Sequence, residues 1–175
     1  RVSAEVIDPH TQTTVYAESA DGTGAESTLG SIDNVTSDLR EKLGEAIASI
    51  ERDSKPLPEV STANMDALKI YALGVDAAAR GDKDEAMAYY RQAFELDPNF
   101  ALALAALGSA QISEAHTVDG RRSLERALAM REHLSPRELL IVQANLARFG
   151  PVPEALKSWQ RLAETYPDLL WVRGA

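Results

Sequence analysis

The sequence predicts a mainly α fold: an α-α superhelix of three paired-helix units, preceded by a short ββα segment of a truncated α/β domain. Three observations carry that expectation. Ala67 and Ala101, Gly74 and Gly108, and Ala93 and Ala127 all recur at a spacing of 34. Within each unit apolar residues step by three or four, the period of a helix with one buried face. Near the N-terminus they alternate by two instead, which is the period of a strand.

Composition narrows the class. Apolar content of 45% with 26% charged residues suits a folded chain and excludes disorder. A formal charge of -9 would repel phosphates, so nucleic acid is not an expected partner. The acidity is concentrated in residues 1–60, with 5 Lys/Arg against 12 Asp/Glu, whereas 136–175 carry 5 against 4. An acidic ligand would therefore meet less repulsion at the C-terminal end. With no cysteine there is neither a disulfide nor a thiolate metal site. No apolar run approaches the ~18 residues of a membrane span, and no membrane contact is expected of the segment itself. The start at Arg1, with no Met and no signal-like stretch, reads as a piece of something longer, either cytoplasmic or the periplasmic part of an anchored protein.

Val2, Ala4 and Val6 alternate with polar neighbours, as do Val15 and Ala17 with Thr14, Tyr16 and Glu18. Asp8-Pro9-His10-Thr11-Gln12 between them suits a turn, so a β-hairpin is expected over 2–18. Asp21-Gly22-Thr23-Gly24 reads as a loop; its Gly-x-Gly lacks the third glycine of a phosphate cradle. A long helix is expected over 27–53, with Ser27 or Ser31 as cap and a stripe of Leu29, Ile32, Val35, Leu39, Leu43, Ile47 and Ile50. Pro56 and Pro58 stop it. A hairpin with one helix is marginal alone, so the stripe needs more sheet, the repeats or a second chain. Its open strand edge invites pairing between chains, which makes a homodimer through this segment a candidate assembly. The expected organisation is thus a ββα segment over 1–55, a stiff linker over 56–62 and the array over 63–175.

The units fall at about 67–100, 101–135 and 136–169. In the first, Ile70, Leu73 and Gly74 open helix A, and Ala86, Tyr90 and Ala93 line helix B before Pro98. Gly81-Asp82-Lys83-Asp84-Glu85 forms the turn, with Gly81 as left-handed C-cap and Asp82 and Glu85 as an expected capping box. The second unit carries Leu104, Leu107, Gly108, Leu124 and Ala127; its turn, Glu114 to Gly120, is expected to be looser. The third opens on Ser135-Pro136-Arg137-Glu138, a capping box with proline at the first helical position. Leu139, Val142, Leu146, Ala155, Trp159, Leu162 and Pro167 continue its pattern, with Gly150-Pro151-Val152-Pro153 as its turn. An apolar Leu169-Leu170-Trp171-Val172 follows, as a packed tail or the start of a further helix.

On these residues the stretch resembles the tetratricopeptide repeat family, whose repeat has this length. The resemblance implies a protein or peptide as partner, bound in a groove lined by the A helices. By position it places Leu68, Tyr71, Val75 and Ala78 there from the first unit. Leu102, Ala105, Ser109 and Ile112 follow from the second, and Arg137, Leu140, Ala144 and Arg148 from the third. The family's Lys/Asn/Arg clamp for a peptide carboxylate is absent, since its early positions are Tyr71 and Val75. The order of hairpin, helix with Leu39-Arg40-Glu41-Lys42-Leu43-Gly44, linker and repeats is similar to the C-terminal region of bacterial signalling proteins. Their upstream module is a nucleotide cyclase, a Ser/Thr kinase or a winged helix, of which a cyclase is favoured here.

Chemistry is not legible. His10, His116 and His133 are not spaced for a shared metal, and no nucleophile elbow, zinc-protease motif or phosphate loop occurs. Neither catalytic residues, cofactor nor metal is therefore expected of this segment. Arg121, Arg122, Arg126 and Arg131 cluster in the second unit, balanced by Glu125 and Glu132 or open to an anion. Two roles compete: a non-catalytic interaction module, and a scaffold that oligomerises its parent.

Overall fold

The computed structural model describes residues 1–23, 25–44 and 61–166. The chain divides into two compact units, Arg1–Glu59 and Val60–Ala175.

In the first unit, β1 (Val2–Ile7) pairs antiparallel with β2 (Thr14–Ala20), and α1 (Ala25–Lys42) packs against both strands. The turn is held by Asp8, whose carboxylate accepts from the backbone N–H of His10 at 2.8 Å and of Thr11 at 3.3 Å. Those bonds favour the charged form and lower the Asp8 pKa. Register Val6↔Tyr16, Ala4↔Glu18 and Val2↔Ala20 puts Tyr16, Glu18 and Ala20 on the half-buried face. Val15 and Ala17, the apolar members of that alternation, are both exposed. Strand alternation alone cannot say which face is covered, and a one-residue choice moves every side chain to the other side. Here the cross-strand partners decide, with Lys42 of α1 paired to Glu18.

Leu29 and Val35 are buried and Ile32 and Leu39 half-buried, so the helix stripe meets its own hairpin. Ser27 and Ser31, the expected caps, lie inside α1, and the Ser31 hydroxyl donates back to the Ser27 carbonyl at 3.0 Å. The helix ends at Lys42, and Gly44 takes φ +88°, a left-handed conformation that closes a helix. Leu43 is exposed there. The rest of the expected helix and stripe, with Ile47, Ile50 and the prolines, lies outside the described residues.

The elements among the described residues of the second unit are all helices: α2 (Met65–Arg80), α3 (Lys83–Leu96), α4 (Ala101–Ser113), α5 (Thr117–Ala129), α6 (Pro136–Ala147) and α7 (Val152–Thr165), with a 3-10 turn at Arg131–His133. Successive helices pack in pairs, α2 on α3, α4 on α5 and α6 on α7, with α3 against α4 and α5 against α6 joining the pairs. Together with the small two-stranded sheet of the first unit, this is the mainly helical repeat architecture that the periodicity predicts.

Asn64 starts α2 by accepting from the N–H of Asp66 and Ala67, while its amide donates to the Leu96 carbonyl at 3.1 Å. Thr62 is buried and donates to Asp97, whose other oxygen accepts from the Asn99 N–H. Thr62, expected in the linker, is thus tied to Asp97 beyond the end of α3. The box expected at Asp82 and Glu85 does not form: Asp82 makes no side-chain cap bond, and both carboxylates take Arg80 instead. The box at Ser135 and Glu138 is complete, at 3.3 and 2.8 Å. Val152 and Pro153, expected in a turn, form the first turn of α7.

The second turn spans Glu114 to His116, one residue more than the first unit's Gly81-Asp82, and α5 already begins at Thr117. Ala115 there takes φ +63°, at the repeat position where the first unit has Gly81 at φ +87°. A side chain in that region is strained by about 1 kcal/mol. Ala115→Gly is therefore expected to stabilise the helical unit by about 1 kcal/mol, seen as a higher urea midpoint at unchanged slope.

Candidate functional site

The helix pairs are built on small residues. A Cβ on Gly74 would stand 2.7 Å from the Tyr90 ring, and one on Gly108 would stand 2.9 Å from the Gly120 carbonyl oxygen. Close approach places large side chains at the junctions between units, where Phe100 and Leu134 are both sealed and 34 residues apart. Tyr71 leans into the first junction, its ring 5.1 Å from Phe100 and 5.5 Å from Tyr90.

Those contacts set the chemistry of the expected groove. Burial, then Tyr90, then the Glu138 carboxylate push the Tyr71 phenol far above the ordinary tyrosine range. It stays neutral and serves as a packing residue with a polar tip. Leu68 and Leu102 are half-buried against Phe100 and Ala103. Ala105 is 6% exposed and belongs to the central core, so it offers no surface. Val75 and Ala78 are open, and Ser109 and Ile112 are half-open beside them in the sequence of repeat positions.

The third unit departs furthest from expectation. Ala144 is 0% exposed in a cluster with Leu162, joined by Leu140 and Trp159. Arg137 lies 5.5 Å over the Tyr166 ring. Arg137, Leu140 and Ala144 therefore serve the contact between α6 and α7, while Arg148 is exposed at the C-terminal cap of α6. The residues 34 after Ala105, Ser109 and Ile112 are Leu139, Gln143 and Leu146. Leu139 and Leu146 pack on the central core and Gln143 is exposed. The buried pairs Phe100/Leu134 and Gly108/Val142 fix that 34-residue register, and the missed signal was the same spacing between Ala101 and Ser135.

Glu138 has two tasks in conflict. Its carboxylate caps α6, yet burial raises its pKa, against the lowering by Ser135 and Arg137. A carboxylate raised in the folded state binds more protons folded than unfolded, so its contribution falls as pH rises through the interval between the two values. Glu138→Gln keeps the acceptor for the Ser135 N–H without the charge. Its stability relative to the parent is expected to increase as pH rises from the ordinary glutamate range to neutrality, measured by urea unfolding at several pH values.

The arginine cluster is largely engaged within the chain. Arg121 pairs with Glu125 at 2.8 Å and lies 5.6 Å over Phe149, while Arg122 meets Asp119 at 3.6 Å. Arg126 lies 5.0 Å over Phe94. Arg131 is exposed. Among the described residues, no group of three or more His, Asp or Glu is placed to hold a metal ion, and no helix is long and apolar enough to cross a membrane. An open polar depression is lined by Gly81, Asp82, Lys83, Asp84, Glu85 and Glu114, and is crossed by the Lys83–Glu114 ion pair at 2.6 Å.

No curated protein matches the chain. Residues 67–100, from the start of α2 to the junction at Phe100, match the family model of the tetratricopeptide repeat, a protein–protein interaction module.

Proposed function

We propose that the helical unit is a non-catalytic module that binds a protein or an extended peptide across the outer face of α2, α4 and α6. The observation that carries this reading is the open apolar strip of Val75 and Ala78 on the first helix of the matched repeat. Ser109 extends it on α4, where half-buried Ile112 packs on the core beside it, and Gln143 and Arg148 edge it on α6. Tyr71 and Leu68 support the strip from below by packing on Phe100. The ligand is an apolar segment, since the strip carries no charge before Arg148. The parent is a larger bacterial signalling protein, with a nucleotide cyclase as the favoured output module; the order of hairpin, helix and repeats supports this.

Selection from a random peptide library tests the reading. Peptides enriched on the parent chain are expected to bind Val75→Glu/Ala78→Glu at least tenfold more weakly, with an unchanged melting temperature. Enriched peptides whose affinity ignores that double substitution would remove the strip as the site.

A second reading, a scaffold that pairs two parents, draws on the first unit. Among the described residues no further strand pairs with either edge of its two-stranded sheet, and Ile7 and Val15 are exposed on it.

A further inference from the structure

We propose that the helical unit also stacks head to tail on a second copy of itself, α2 of one copy covering α7 of the other. The inference comes from comparing equivalent repeat positions within the chain and does not depend on peptide binding. On α4, Leu107 is 5% exposed and lies in one core cluster with Met87 of α3. The position 34 earlier on α2 is Leu73, which is 44% exposed. On α3, Met87 is 7% exposed; its counterpart on α7 is Leu156, which is 56% exposed. That second equivalence is anchored by Ala93 and Leu162, both at 0% and spaced like Pro98 and Pro167.

Hence α2 leaves exposed the position that α4 buries in the core it shares with α3, while α7 leaves exposed the position that α3 buries there. The exposed faces around Leu73 and Leu156 are complementary because each repeats one half of an interface already built inside the molecule. Seating a second copy's α2 on α7 would bury Leu73 and Leu156 as Leu107 and Met87 are buried now. Such contact is heterologous and does not close, so it produces short chains of copies and no fixed dimer. One helix pair offers less than the ~800 Å² per partner of a standard interface, so association is weak and concentration-dependent.

Sedimentation equilibrium on the chain at rising concentration tests this. The apparent mass is expected to climb from the 19.0 kDa monomer without levelling at the dimer. Leu73→Glu and Leu156→Glu should each remain monomeric with unchanged thermal unfolding, since both side chains are largely exposed. An equimolar mixture of the two should form a one-to-one dimer and stop there, because each variant keeps one native face. A parent that stays monomeric at every concentration overturns the proposal, and so does a mixture that stays monomeric. Self-association that persists in both variants overturns it too, and would assign the contact to the strand edges.

Discussion

Phe100→Ala is expected to lower the stability of the helical unit by about 4 kcal/mol, the range for removing a buried aromatic ring. Phe100 is sealed between the first two repeats, in a cluster with Ala67, Ala93 and Ala103 and under the Tyr71 ring. Its neighbours make the loss large. Three alanines have no side chain to extend into the vacated space, and each is fixed by a helix backbone. Tyr71 can tilt only by giving up its contact with Tyr90 at 5.5 Å. Leu68 and Leu102, half-buried beside the ring, fill only part of the space, so the cavity left over adds to the lost transfer energy. Phe100→Leu fills most of the volume and should lose less than half as much. Urea midpoints of the two variants check this; a Phe100→Ala loss below about 1 kcal/mol would show that the junction is held elsewhere.

Gly120→Ala sets two effects against each other, and the sign decides which is larger. Alanine favours a helix interior over glycine by about 1 kcal/mol. The new methyl, however, would stand 2.7 Å from the Gly108 carbonyl oxygen, 2.6 Å from Ile112 Cγ1 and 3.0 Å from the Ile112 nitrogen. The Ile112 side chain can turn aside, but the backbone oxygen and nitrogen can move only if α4 and α5 separate. Overpacking of this kind costs up to about 3 kcal/mol, so a net loss of about 2 kcal/mol is expected. Separation would also stretch the Ser123–Gln111 hydrogen bond of 2.8 Å between the same helices. A neutral or stabilising result would mean that the pair tolerates a wider spacing.

Gly120 also shows where reading the sequence stopped. It was expected within a turn from Glu114 to Gly120, yet the turn ends at His116, one residue longer than the first unit's, and the glycine serves the helix contact with Gly108. Gly81 was legible because a left-handed helix end nearly requires glycine; Ala115, in the same backbone region, carries no such mark. The box at Ser135 and Glu138 was legible for a related reason, since its partners are three residues apart and need nothing from the rest of the fold. At Asp82 and Glu85 the same local pattern lost to Arg80, a cation that reaches both carboxylates.

The sequence by itself determined the helical class, the 34-residue repeat, the hairpin and most helix starts. Each of these follows from local spacing, whether a period of two, a period near 3.6 or a cap within one turn. Tertiary structure decided which face of each element is covered. It turned Tyr16 inward and Val15 outward, sealed Ala105 and Ala144, and gave Arg137 to Tyr166. It also left Leu73 and Leu156 open while burying their repeat equivalents. Periodicity fixes only which residues share a face; what lies against that face depends on neighbours distant in the chain.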